Sequence, residues 1–335
     1  MAEEMAKIVR FHETGGPEVL KLETEARGMP GPSEVRLKVE AIGLNRAEAM
    51  FRAGAYLEAP DLPSKNGYEA SGVIDAIGEG VTEFSIGDKV STIPAFNMSA
   101  YGVYGESAIV PAAAVAKYPE RLSAAEGTAI WMQYITAWGG LIDIGNLQSK
   151  DTVLITAASS SVGLAALQIA KHIGATTIAT TRGSGKEEAI KAAGADHIIR
   201  TDHEDLAASV AQFTGDRGVN LIFDPVGGPL LEMLADAAAP GATIIEYGVL
   251  DERPTPFPLF PALAKGLTVR GYTLFEITMQ ADRTRLEKAV EFVTKMIETG
   301  TMTPVLDKRF PLDQIAEAHT YLESNQQTGK IIVEV

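Results

Sequence analysis

Apolar positions in the first third of the chain alternate with polar ones in short runs, and Gly and Pro separate the runs. The runs at 7–11, 34–42, 72–77 and 89–93 predict strands, and breaks such as Gly28-Met-Pro-Gly-Pro32 predict turns. From about residue 123 the pattern changes. Helical periodicity predicts helices at 124–141, 162–173, 186–193, 204–213 and 229–238. Short apolar runs at 152–156, 176–181, 197–199, 219–223, 242–247 and 267–273 predict strands between and after them. Six short strands joined by helices imply a doubly wound parallel sheet covered on both faces, so the fold class is α/β. The Pro-rich stretch 251–261 predicts a loop beside a ligand cleft. A charged helix (281–299), a strand near 306–310, a short helix (312–322) and a final strand (330–335) follow. That last block has no partner strand of its own and is expected to complete the first domain. The expected division is 1–123 with 275–335 for one domain and 124–274 for the other.

The richest local signal is Asp151-Thr-Val-Leu-Ile-Thr-Ala-Ala-Ser-Ser-Ser-Val-Gly163. An apolar strand breaks into small residues and opens a helix, which is how a Rossmann unit offers a helix N-terminus to a pyrophosphate. Ser160, Ser161, Val162 and Gly163 are the candidate pyrophosphate residues. Serine sacrifices the close backbone approach that glycine allows, but its hydroxyl can donate to phosphate. The next strand ends in Thr180-Thr181-Arg182, where a carboxylate would select NAD and an arginine suits the 2′-phosphate of NADP. Thr181, Arg182 and Lys186 are therefore assigned to NADPH (NADP+). A solvated Arg182/Lys186 surface pair is the competing reading. Gly248 and Tyr272-Thr273-Leu274 end later strands, where ligands of an open parallel sheet bind, and join the cofactor candidates.

Composition narrows the class. The 335 residues are 46% hydrophobic and 22% charged, which is ordinary for a globular protein, and the length makes two domains the expectation. A net charge of −15 disfavours nucleic acid and anionic membranes as partners. No apolar run spans a bilayer and no secretory signal opens the chain, so a cytoplasmic protein is expected. With no cysteine, disulfides and thiolate zinc sites are excluded, and His12, His172, His197, His203 and His319 have no metal-binding spacing.

Several strings carry a family resemblance. They are Ala41-Ile-Gly-Leu-Asn-Arg-Ala-Glu48, Gly67-Tyr-Glu-Ala-Ser-Gly72, Phe84-Ser-Ile-Gly-Asp-Lys-Val90, Tyr104-Gly-Glu-Ser-Ala-Ile-Val-Pro111, Phe223-Asp-Pro-Val-Gly-Gly228 and Gly329-Lys-Ile-Ile-Val333. Over essentially the whole chain they resemble the medium-chain dehydrogenase/reductases, in the zinc-independent quinone oxidoreductase (zeta-crystallin-like) branch. The resemblance implies a GroES-like β-rich catalytic domain beside a Rossmann domain with a six-stranded sheet. Zinc-dependent relatives carry cysteine at Asn45 and histidine at Tyr68, so no zinc is expected here. Asn45 can equally be a structural turn cap.

Loss of the metal bears on the reaction. Without a Lewis acid the hydride acceptor must already be electron-poor, as quinones and α,β-unsaturated carbonyls are. The resemblance implies Asn45 and Thr136 near the reacting carbonyl and Tyr56 as proton or hydrogen-bond donor. Tyr68 and Tyr134 are weaker candidates, read first as packing residues. A 2-enoyl thioester or acid reductase, with Arg46 and Arg52 as clamps, and a non-catalytic NADPH-binding protein remain as alternatives. An apolar edge strand at 267–274 and the resemblance together predict a homodimer.

Overall fold

The computed structural model describes residues 4–335. A hairpin of β1 (Met5–Arg10) and β2 (Lys21–Ala26) leads into β3 (Glu34–Gly43), helix α1 (Arg46–Arg52) and β4 (Glu69–Ile77). Then come β5 (Lys89–Thr92), the single turn α2 (Met98–Tyr101), β6 (Ser107–Pro111) and β7 (Val115–Lys117). Helices α3 (Ala124–Gly127) and α4 (Trp131–Trp138) follow, and α4 runs on into a π-helical segment, Gly139–Ile144. Next alternate β8 (Thr152–Ile155), α5 (Ser161–Ile173), β9 (Thr176–Thr181), α6 (Glu187–Ala192), β10 (His197–Arg200) and α7 (Leu206–Thr214). The alternation continues through β11 (Val219–Asp224), α8 (Leu230–Ala237), β12 (Ala238–Glu246), α9 (Leu259–Lys265) and β13 (Thr268–Gly271). The chain closes with α10 (Phe275–Thr278), α11 (Thr284–Glu298), β14 (Leu306–Pro311), α12 (Ile315–Glu323) and β15 (Lys330–Glu334).

Contacts divide the chain into two compact units. The first holds residues up to Met132, Thr278–Arg283 and Pro304–Val335; the second holds Gln133–Ile277 and Thr284–Thr303. In the first unit a seven-stranded sheet runs β14-β15-β3-β4-β5-β7, with β6 paired to β3. The C-terminal strand β15 pairs antiparallel with β3, Val333 opposite Ile42, and so supplies the return of the last block. Alternation along β3 buries Val35, Leu37, Val39 and Ala41.

The second unit is built on a parallel six-stranded sheet in the order β10-β9-β8-β11-β12-β13. Its central strands β8 and β11 carry short apolar runs, 153–155 and 221–223, as strands buried on both faces do. Leu154, Ile178, Ile199, Ile222 and Ile244 form one cluster with Val210, Leu231 and Leu234 from α7 and α8. Each fully buried aliphatic side chain contributes about 1.5–3 kcal/mol relative to exposure. Strand order reverses between β8 and β11, the crevice where ligands of open α/β sheets bind.

Four expectations change. The helix expected at 124–141 is broken at 128–130, and its second half widens to π geometry at Gly139 and Gly140. A Cβ at Gly139 would lie 2.1 Å from the Tyr272 hydroxyl, and one at Gly140 would lie 2.3 Å from the Phe223 ring. The edge strand expected at 267–274 is only four residues, Thr268–Gly271. Gly266, left-handed at φ +62°, ends α9 before it, and Tyr272 turns inward after it. The Pro-rich stretch 251–261 is a loop only to Pro258, where α9 begins. Finally, α11 belongs to the second unit rather than to the completion of the first.

Candidate functional site

The first unit brings Asn45 and Tyr56 into one polar region. Asn45 N-caps α1 immediately after β3, and Glu48, one turn on, reaches back to its backbone N–H. The Asn45 amide is nearly buried, at 9% exposure. Its Nδ2 donates to Glu48 Oε1 (2.9 Å) and Glu69 Oε2 (3.1 Å), and its Oδ1 accepts from Lys330 Nζ at 2.5 Å. Lys330 also forms an ion pair with Glu69, both side chains being buried. Glycine at position 43 makes room for this: a Cβ there would stand 2.9 Å from Lys330 Cε and 2.6 Å from the Thr128 carbonyl. Burial pushes the Glu48 carboxyl up to about 7, against the opposing pull of Asn45 and Lys330.

Behind Glu48 the hydrogen bonds continue inward. Tyr104 bonds its carboxylate, and His319 Nε2 lies 3.2 Å from the Tyr104 hydroxyl. Arg52 Nη1 meets His319 Nδ1 at 3.0 Å. Because guanidinium only donates, His319 is neutral with its proton on Nε2. Burial, then the Arg52 charge, holds its pKa down to about 3.

Tyr56, four residues past α1, is half-buried with its ring 6.4 Å from that of Tyr68. The two hydroxyls are hydrogen-bonded, and Tyr68 also bonds Glu58 Oε1 at 3.3 Å. Burial first, and Glu48 second, pushes the Tyr56 phenol up, so it is protonated at neutral pH. Tyr68 is fully buried against Phe96, yet its hydroxyl joins this chain rather than serving packing alone.

In the second unit, Thr136 sits on α4 at 7% exposure, and Tyr134 is committed to Gln168 at 3.0 Å. The β8–α5 turn lies at the carboxyl edge of the sheet. Ser160 caps the thirteen-residue α5, its Oγ accepting from Gly163 N at 3.0 Å. Ser161 and Val162 are half-exposed in the first turn, where helix N–H groups have no intrahelical partners. Gly163 is required by packing: a Cβ would stand 2.6 Å from Ala158 Cα. A helix start with open N–H groups at the switch point fits a pyrophosphate.

Thr181 is buried at the end of β9, and Arg182 beyond it is exposed. Lys186 immediately precedes α6 and is half-buried. Asp251, in the loop after β12, is chelated by Arg253 and lies within the field of Arg182. That pairing, mainly with Arg253, holds its carboxyl down at about 2. Gly248 packs on the β11–α8 turn, where a Cβ would meet the Pro225 carbonyl at 2.7 Å. Tyr272 and Leu274 are buried and Thr273 is half-exposed.

Known proteins match in both parts. The alcohol dehydrogenase GroES-like domain family matches residues 31–120, and the zinc-binding dehydrogenase family matches residues 161–295. Human quinone oxidoreductase is 30% identical over 336 residues, covering 99% of this chain and 98% of its own. A 2-haloacrylate reductase from Burkholderia is 30% identical, covering 98% of both chains. The solved Escherichia coli quinone oxidoreductase complexed with NADPH superposes with a TM-score of 0.91 at 27% identity, over 98% of this chain and 100% of that one. This chain is a medium-chain dehydrogenase/reductase. It belongs to the quinone oxidoreductase branch and is an oxidoreductase.

Within this medium-chain dehydrogenase/reductase, sequence reading missed the buried Glu48, Glu69 and Lys330 around Asn45. It also missed Glu58 beside Tyr68 and Arg253 beside Asp251. Glu48 alone had a local signal, three residues after an Asn in a capping-box pattern.

Proposed function

We propose that this enzyme is an NADPH-dependent, zinc-independent reductase of quinones or α,β-unsaturated carbonyls, acting as a cytoplasmic homodimer. One observation carries the zinc-free reading. At the position where the family resemblance puts a zinc thiolate stands the Asn45 amide, its oxygen 2.5 Å from the Lys330 ammonium. An ammonium on that oxygen repels a metal cation, and the adjoining Tyr68 phenol, pushed far up by burial, is not ionised to ligate one.

The 2′-phosphate falls to exposed Arg182 with Lys186, and the pyrophosphate to the first turn of α5. When bound, NADPH supplies the hydride. The chain's own residues then need only orient the acceptor and deliver a proton. Tyr56, held protonated, is the donor to the oxygen that gains charge. The thioester reading loses its clamps: Arg52 is buried on Gly15 O, His319 and Glu323, and Arg46 is bound to Leu322 O and Asn325.

The test is NADPH consumption by chelator-stripped protein against benzoquinones, enones and enoyl thioesters, with products identified by mass. Turnover to a hydroquinone or saturated ketone, unaltered by added zinc, is expected. Activity that returns only with zinc overturns the reading.

A further inference from the structure

The loop after α1 places an acid, a buried phenol and a second phenol in one hydrogen-bonded line. Glu58 is half-exposed, and its carboxylate is anchored by Asn97 Nδ2 (2.7 Å) and Met98 N (2.9 Å) at the start of α2. Tyr68, with no exposed surface, bonds Glu58 Oε1 on one side and the Tyr56 hydroxyl on the other. Phe96 packs on Tyr68, ring centroids 5.7 Å apart, and Tyr101 packs on Phe96 at 6.2 Å. The line thus has an apolar wall and one end near water.

We propose that Glu58 and Tyr68 form a proton relay that recharges Tyr56 from solvent during each reduction. The proposal rests on Tyr56 being the proton donor. Hydride addition to an enone forms a C–H bond at the β-carbon and leaves an enolate oxyanion. The Tyr56 O–H breaks, and its proton passes to the enolate. Tyr56 takes the Tyr68 proton, Tyr68 takes the carboxyl proton of Glu58, and Glu58 takes one from water. The net step consumes one hydride and one solvent proton.

The physical reason is where the negative charge comes to rest. Tyr56 and Tyr68 are both pushed up by burial and by the charges of Glu48 and Glu58, so a phenolate at either is costly. Passing the proton along the line moves the charge to Glu58, the member with carboxylate chemistry and solvent access. Each hydroxyl carries one proton, so the line has a direction. With Glu58 ionised the O–H bonds point toward Glu58; with Glu58 protonated they point toward the substrate. Glu48 on α1 is the other charge facing the two phenols, and α2 contributes the neutral Asn97 amide and the Met98 N–H. Burial raises the Glu58 pKa above the ordinary carboxylate value, favouring the delivering orientation.

The experiment compares wild type with Tyr56→Phe, Tyr68→Phe and Glu58→Gln, using but-3-en-2-one as the probe and saturating NADPH. Values of kcat and KM are taken across pH, and the Glu58 carboxyl is titrated by 13C NMR. Tyr56→Phe is expected to lose about 100-fold or more in kcat, and Tyr68→Phe and Glu58→Gln to lose kcat in the same direction, with KM little changed. In wild type, kcat should fall with rising pH along the Glu58 titration, and Glu58→Gln should lose that limb. Tyr68→Phe should also raise the Glu58 titration, because the Tyr68 bond stabilises the carboxylate. Wild-type kcat and pH profile in Tyr68→Phe and Glu58→Gln, with only Tyr56→Phe impaired, overturn the relay and leave Tyr56 as donor. Unchanged kcat in Tyr56→Phe overturns the donor reading itself. An unmoved Glu58 titration in Tyr68→Phe shows that the bond does not form in solution, and the relay falls with it.

Discussion

Lys330 has no exposed surface and answers two buried groups at once, the Glu69 carboxylate and the Asn45 carbonyl oxygen. Replacing it with Met keeps the volume of the stem but leaves Glu69 charged and buried with Asn45 Nδ2 and Met132 N as its remaining donors. Lys330→Met should therefore cost about 3–5 kcal/mol, read as a lowered urea midpoint with an unchanged slope. A loss below about 1 kcal/mol would show that the buried pair contributes no net stability. At this scale the sequence was partly legible. Gly163 and Gly248 were singled out as cofactor candidates from their places at a helix start and a strand end, but the close backbone approaches that require glycine there come from packing that the sequence does not show. Lys330 was read as the first residue of a strand and as one letter of a family string, with no role of its own, because one letter beside Ile331 does not say that β15 lays its side chain against β3. Glu58 was passed over for the same reason: a charge in a loop reads as solvated until Tyr68 and Asn97 arrive from elsewhere in the chain.

Elements were legible where packing and local pattern agree. Strand β9 covers the span expected, and α5 begins one residue early, at Ser161 behind the Ser160 cap. Agreement fails where tertiary contacts set the ends, as at Gly139 and after Gly266. The carboxyl ends of β11 and β12 hold a feature that no local pattern announces. Asp224 and Glu246 are register partners, and among the described residues no hydrogen-bond donor answers the buried Glu246 oxygens. Burial and the neighbouring Asp224 raise the Glu246 pKa, so the folded protein keeps a proton that the unfolded chain releases. Stability from this pair is then present below the unfolded carboxylate pKa and lost as pH rises through the folded one. Glu246→Gln removes that loss, so the Tm gap between pH 5 and pH 9 should narrow. An unaltered gap would show that the pair does not share a proton. At the end of β9, Arg182→Ala should weaken NADPH by about 10–100-fold, the worth of a charged hydrogen bond, and leave NADH nearly unchanged. Equal effects in a fluorescence titration would remove the 2′-phosphate role.

The scale of the whole molecule turns on what covers the far edge of the parallel sheet. Strand β13 is unpaired on its outer side among the described residues, and it is half-exposed at Val269 and Arg270. Beside it in sequence, α9 buries none of its residues; Phe260 is 85% exposed, Leu263 73% and Leu259 56%. An open edge four residues long would pair only weakly with a second chain. The apolar helix next to it adds the hydrophobic area that a stable association needs. A net charge of −15 on each copy opposes association, so screening should strengthen it. We therefore expect a dimer in sedimentation equilibrium whose dissociation constant falls between 20 mM and 300 mM salt. Phe260→Asp with Leu263→Asp should shift it to monomer without altering the far-ultraviolet circular dichroism. A double variant that stays dimeric would place the interface elsewhere, and a monomeric wild type at micromolar concentration would remove the homodimer from this reading. The salt dependence separates two sources of stability. An interface held by Arg270 and other charges weakens as salt rises, whereas one held by α9 against mutual repulsion tightens.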